Sequence, residues 1–328
     1  MRLVIALAAV LLASGCESTR YYGQAISGHL GVVRAARPIQ SWLADPNTPP
    51  DLRARLELAR GIREFASREL GLPQNGSYGA YADLGRPYVT WNVYAAPIFS
   101  TEPRQECFPF TGCVSYRGFF SEADARRHAE SLRVSGNDVY TGGVPAYSTL
   151  GWFDDPLLST FIRYPDAQLA RLLFHELAHQ VAYARDDTAF NESFAVAVEE
   201  EGVRRWLRAQ GREAEFAAFR AAQARRRELA ARVEAMRKRL EAVYQSDVPA
   251  EEKRRVKAQE FAALRAEYGG IVPVDPNNAF LVSISVYTEL VPAFERLLAE
   301  SGGDLPAFYK RVRQLARMDK AARDLALR

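Results

Sequence analysis

An α+β fold that is predominantly α-helical follows from three observations. Apolar residues recur at helical spacing over most of the 328-residue chain. Short β-branched and aromatic runs gather between about residues 86 and 150, which predicts one small sheet region. After them, His175-Glu176-Leu177-Ala178-His179 stands inside a strongly periodic segment. The expected architecture is therefore a small β-sheet, an HExxH-bearing helix, and a long antiparallel helical hairpin. With 48% hydrophobic and 25% charged residues the chain can bury a core, so disorder is excluded as its general state. Forty-three basic against forty acidic residues leave a net charge of +3, too small for a nucleic-acid footprint.

The elements follow in chain order. Arg2 and the apolar run of residues 3–12 read as an export signal over residues 1–15, with the run too short to span a bilayer. Leu12-Ala13-Ser14-Gly15-Cys16 resembles the bacterial lipobox, which implies acylation of Cys16 and a mature chain of residues 16–328. The alternative is a plain secretory signal. Acylated Cys16 would anchor the protein to a bacterial membrane facing the periplasm, and Glu17 at the next position favours the outer membrane.

Residues 17–85 read as mainly helical, broken by the Pro/Asn-rich stretch at 45–50 and continued by an amphipathic run at 51–72. The sheet region holds YVTWNVYAA, GCVSYRGFF and NDVYTGG, interrupted by a helix at 121–134 that Ser121 caps with Asp124 in its first turn. Cys107 and Cys113 stand close together in a Pro/Gly-containing loop. In an oxidising compartment they could bridge; otherwise they are small buried apolar side chains.

Pro165 and Asp166 start a helix that the pattern carries to about Arg185, and a second runs from about Phe190 to Gln210, ending at Gly211. Residues 212–268 form the hairpin. Its first arm places Leu229, Val233, Met236, Leu240 and Val243 at spacings of four and three, and its second places Phe261, Leu264 and Tyr268 on one face. It reads as an arm projecting from the body, either solvated and structural or able to bind a protein partner. Two helices, at about 277–301 and 304–327, close the chain.

The chemistry centres on residues 175–179. In a helix, residues four apart lie one above the other, so His175 and His179 project from one face and can share one zinc ion. Glu176 lies beside the metal, where it can take a proton from an activated water. A catalytic zinc wants a third protein ligand and an open position. Glu192 supplies the carboxylate, twelve residues beyond His179 on the next helix, whose neighbours Phe190, Phe194, Ala195 and Val196 make an unpaired carboxylate costly to bury.

HELAH at 175–179 and NESFA at 191–195 resemble the gluzincin metallopeptidases and, more closely, the bacterial lipoprotein family called putative aminopeptidases. NESFA looks like the NEGFA element that supplies the Glu ligand there. The likeness extends to CFPFTGCVSYRGFF, GGVPAYSTLGWFDDP and YTELVPAF. It implies a membrane-anchored zinc aminopeptidase acting on peptides, with Glu199 as the acid that orients a ligand histidine. An electrophile for the oxyanion is also implied, and Tyr287 is the candidate, packing being its other reading.

The chain departs from this pattern in two places. The gap between His179 and Glu192 is shorter than in the better-known gluzincins. The strand that carries an amine-gripping Glu in those enzymes corresponds to Gly142-Gly143-Val144-Pro145-Ala146-Tyr147, which has no acid. Gly142, Gly143, Val144 and Pro145 could still pair with an extended peptide, or form a simple hairpin rim. Trp152 and Phe153 either line a specificity pocket or belong to the core. Zinc endopeptidase, and a membrane-tethered binding or assembly factor with a non-catalytic zinc, are the rival expectations.

Overall fold

The computed structural model describes residues 21–108, 112–146, 148–149, 151–185, 187–284 and 290–327. In order these form a helix over residues 21–35 (α1), β1 (Ala36–Pro38), α2 (Ile39–Ala44), α3 (Pro50–Arg68), β2 (Ala80–Ala82), β3 (Thr90–Pro97), β4 (Glu106–Phe108), β5 (Gly112–Val114), β6 (Arg117–Phe119), α4 (Glu122–Val134), β7 (Asn137–Val144) and β8 (Leu157–Leu158). Then come α5 (Asp166–His179), α6 (Thr188–Ala209), α7 (Glu213–Gln245), α8 (Ala250–Tyr268), α9 (Asn278–Ser283), α10 (Val291–Glu300), α11 (Leu305–Ala316) and α12 (Lys320–Ala326). Helix outweighs strand 60% to 11%, which makes the fold the predominantly helical α+β class read from the sequence. None of the described helices is long and apolar enough to cross a membrane. Contacts separate the chain into two compact units: one within 1–35, 86–146 and 232–285, the other within 36–85, 147–231 and 286–328.

The first unit is built on the antiparallel sheet β6-β3-β7. β3 pairs along its whole length with β7, from Thr90 opposite Val144 to Pro97 opposite Asn137. Its alternation puts Trp91, Val93 and Ala95 on the inner face, where they bury with Val139, Phe119 and the Ala125, Ala129 and Leu132 stripe of α4. Ser121 caps α4, its Oγ accepting from the Asp124 backbone N–H. Cys107 and Cys113 lie opposite one another on β4 and β5 and are disulfide-bonded.

The hairpin α7/α8 is antiparallel: Arg239 and Arg232 both reach Glu260, and Arg232 also reaches Glu267. Leu229, Val233, Met236 and Leu240 are buried as the seam requires, but the next buried position is Tyr244, in place of Val243. The residues from Arg232 onward do not project freely. Lys257 Nζ donates to Asp138 Oδ2 (2.6 Å) and the Ile98 carbonyl (3.0 Å), and Tyr244 donates to Asn278 Oδ1 (3.0 Å). The end of the sheet thus offers a carboxylate and a carbonyl, which Lys257 of the hairpin and Asn278 share.

The second unit stacks α3, α5, α6, α10 and α11. A three-stranded sheet, β1-β2-β8, completes it. β1 and β2, in a region read as helical, and β8, in a stretch given no element, went unrecognised because they span two or three residues, too few for a period to show. On α3 Pro50 occupies the first turn, where its missing N–H costs nothing, and Leu52, Leu56, Ala59, Ile62 and Phe65 form the inner stripe. Phe190 and Phe194 of α6 meet Phe294 and Phe308, at ring centroids 5.1 to 5.8 Å apart. α5 and α6 approach closely at Gly202, where a Cβ would meet the Phe174 ring at 2.7 Å and Leu70 at 2.9 Å. Gly202→Val should therefore cost about 1–3 kcal/mol by overpacking, read from urea unfolding. An unchanged midpoint would mean that the interface has room to spare.

The two closing helices of the sequence reading are each divided. Pro292 lacks an N–H and must sit in a first turn, so a new helix starts at Val291. Asp319 caps α12 by accepting from the Ala322 N–H, which ends α11 before it.

Candidate metal centre

α5 carries Arg171, His175 and His179 at successive intervals of four, on one face. The opposite face, with Leu169, Leu173, Phe174 and Leu177, is fully buried, which fixes the direction of the polar stripe. Asp166 holds the helix start through Arg55 (2.7 Å) and Arg212 (3.0 Å).

The helix stops at His179, short of the expected Arg185. Gln180 N–H closes back on the Leu177 carbonyl, and the chain turns away. Six further residues of helix would carry the chain about 9 Å onward and put α6 out of reach. Asn191 secures the return: its side chain donates to the Ala184 carbonyl (2.8 Å) and accepts from the Ala184 N–H (2.7 Å). Asp187 caps α6, with Oδ1 accepting from Phe190 N–H (3.1 Å). Its Oδ2 pairs with buried Arg323 at 2.8 Å.

This turn brings Glu192 to the two histidines. His175 Nε2 and His179 Nε2 are 3.1 Å apart; Glu192 Oε2 lies 3.2 Å from the first, and its Oε1 3.6 Å from the second. Zinc bonds of about 2.0–2.1 Å in a tetrahedron give ligand-to-ligand edges of roughly 3.3 Å. The triangle has that size. Among the described residues no other group of three or more His, Cys, Asp or Glu donors is so placed, and no fourth joins it. Two imidazoles and a carboxylate are also the donor types zinc takes.

Glu199, seven residues beyond Glu192 on α6, accepts from His175 Nδ1 at 2.8 Å. That bond makes Nδ1 the donor, so that once Nε2 gives up its proton its lone pair faces the triangle. Glu199 is fully buried and is held by Arg171 Nη1 (3.0 and 3.2 Å) and by Gln223 Nε2 of α7 (3.2 Å). Burial would raise its pKa, but Arg171 and His175 outweigh burial and keep it below the usual carboxylate range. Burial likewise opposes charge on His175, yet Glu192 and Glu199 raise it to about 10. His179, buried and facing His175, is pushed down to about 4. Its Nδ1 is buried with no hydrogen-bond partner among the described residues.

Glu176 follows His175 on α5, and its pKa is raised, first by burial and then by the Glu192 and Asp155 carboxylates, against the pull of His175. Asp155 is itself buried, its Oδ2 accepting from Thr149 N–H (2.8 Å) and its carbonyl from Tyr78 N–H (2.6 Å).

His175, Glu176, His179, Glu192 and Glu199 thus come together in the second unit. Gly142, Gly143 and Val144 lie on β7, an edge of the described sheet of the first unit, with Pro145 just beyond. Gly143 has a packing reason of its own, since a Cβ there would stand 2.2 Å from the Tyr88 ring. Trp152 and Phe153 are 85% and 58% exposed, which corrects their reading as core. Tyr287 and Cys16 lie outside the described residues. Sequence reasoning missed Arg171, although it completes the i, i+4, i+8 stripe with the histidines. It also missed Gln223, Asp155 and Asn191, for which spacing gave no signal.

Residues 20–327 match the model of a family described as putative aminopeptidase. No curated protein and no solved structure matches the chain.

Proposed function

Since the chain belongs to the putative aminopeptidase family, we propose that it is a zinc-dependent peptidase, held at a bacterial membrane by acylated Cys16 and cleaving peptides from their amino end. The observation that carries the zinc reading is the triangle of His175 Nε2, His179 Nε2 and Glu192, with edges of 3.1 to 3.6 Å. A zinc ion held there supplies Lewis acidity, acidifying water and polarising a carbonyl.

The remaining work falls to side chains. Glu176 takes the proton of the attacking water on its carboxylate as the oxygen–carbon bond forms. It then delivers that proton to the amine nitrogen as the carbon–nitrogen bond breaks. A carboxyl raised by burial suits both steps, because it binds a proton more readily than an exposed one and still releases it. Arg171 and Gln223 fix Glu199, and Glu199 fixes the ring of His175. Glu199→Ala should accordingly weaken zinc binding by about 10–100-fold, measured by competition with a chromophoric chelator. Unchanged affinity would reduce Glu199 to a packing role.

The purified mature chain should bind one zinc ion, lose peptidase activity to a chelator and regain it with zinc. Free and N-acetylated peptides separate the readings. An aminopeptidase spares the acetylated set, whereas cleavage of both marks an endopeptidase, the reading that the acid-free stretch at 142–147 favours. The third expectation, a tethered binding factor, calls for a closed site of four protein ligands. The donor set found among the described residues has three.

A further inference from the structure

Among the described residues of the second unit, five large apolar side chains are exposed: Trp152, Phe153, Tyr183, Met318 and Leu325. Three of them belong to segments that meet the C-terminal end of α5. The Tyr183 ring stands edge-on to the His179 ring at 6.4 Å between centroids. Residues 151–153 lie against Gln180, the residue after His179; a Cβ built on Gly151 would be 3.3 Å from the Gln180 side chain. Gly151 has a φ of +81°, the left-handed conformation that lets the chain turn so near.

The display is built on both sides. Gln180 Oε1 accepts from Asn75 Nδ2 (2.7 Å), and Gln180 Nε2 donates to Ser77 Oγ (3.2 Å). Under the aromatics, Trp152 N–H donates to the Thr149 carbonyl (3.0 Å), and Phe153 N–H to Thr149 Oγ1 (3.1 Å). Asp155 takes the Thr149 N–H (2.8 Å). An ordered turn that holds Trp152 85% exposed forgoes the burial such a ring normally finds, which marks a surface that something covers.

We infer that Trp152, Phe153 and Tyr183 form the side-chain subsite beside the metal centre, and that the substrates are peptides with a large apolar, above all aromatic, residue next to the scissile bond. The inference rests on the peptidase reading above. Continuity with the centre selects the occupant: Tyr183 touches a proposed ligand, and the turn touches the residue adjoining it. A polypeptide bound at the metal centre would have side chains within reach of this surface.

The test compares wild type, W152A/F153A and Y183A on free and N-acetylated peptides that differ only in the residue next to the cleaved bond. Wild type should prefer Phe and Trp over Ala. W152A/F153A should lose about tenfold to a hundredfold in kcat/KM on the aromatic peptides and keep its rate on the Ala peptide, the factor that burial of one large apolar side chain corresponds to. In an E176Q background the Kd for a Phe peptide should rise by the same factor, with zinc content and Tm unchanged. Equal loss on every peptide, or no loss, overturns the inference while leaving the peptidase reading intact. Unchanged selectivity together with a Trp152-dependent fluorescence shift on phosphatidylethanolamine/phosphatidylglycerol vesicles overturns it in favour of a lipid surface. A wild-type chain that neither binds zinc nor cleaves peptide removes both.

Discussion

Glu176→Gln should keep its fold and its zinc while losing about 10²–10⁴-fold in turnover, the range typical of a general acid–base group. The substitution preserves the shape of the side chain and removes its capacity to accept a proton. It also removes a buried negative charge that stands near Glu192 and Asp155, so no loss of stability is expected. Metal analysis, thermal unfolding and steady-state cleavage of an unblocked peptide together isolate the effect. Wild-type turnover in a zinc-loaded Glu176→Gln protein would take the proton transfer away from this residue. Turnover lost together with zinc would instead place Glu176 among the groups that hold the metal.

The second large effect lies far from the histidines in sequence. Arg323 is 3% exposed and gives the Asp187 carboxylate two short contacts, 2.8 and 2.9 Å, while its guanidinium covers the Phe190 ring at 5.1 Å. Arg323→Ala leaves a buried carboxylate unpaired at the start of the helix that carries Glu192, and should cost about 3–5 kcal/mol. Lys320, 3.7 Å from the same oxygen but largely exposed, can recover part of that loss. Urea unfolding measures the stability, and zinc affinity measures the consequence for the site. In Asp187→Leu/Arg323→Met, where no charge is stranded, much of the stability should return. A small loss in Arg323→Ala would mean that water reaches Asp187 and that the clamp is not tight.

What the sequence disclosed tracks how local each interaction is. His175 and His179 stand out because a four-residue interval on a helix is a geometric fact about neighbours. Glu192 could be named only through its apolar setting and the NESFA likeness, since the turn that delivers it depends on Asn191 gripping Ala184, which no periodicity announces. Gln223 reaches Glu199 across 24 residues and Arg323 reaches Asp187 across 136. Partners chosen at such distances leave no mark on the spacing of residues nearby. The sheet region at 86–150 is legible in its short β-branched and aromatic runs, and β3 shows the pattern beneath them: Trp91, Val93 and Ala95 are buried at alternate positions. β1, β2 and β8 are too short for alternation to register. The over-long α5 has the same cause seen from the other side, for residues 181–185 keep a helix-compatible composition while tertiary bonds pull them out of the helix.

The pairing of Asp187 with Arg323 also sets an order of events. A chain is synthesised from its amino end, so the segment of α5 and α6 emerges well over a hundred residues ahead of its clamp. Until the last helix arrives, the carboxylate that starts the Glu192 helix has no buried partner and favours the solvated, unfolded chain. The start of the helix that carries Glu192 is therefore completed only by a residue made 136 positions later.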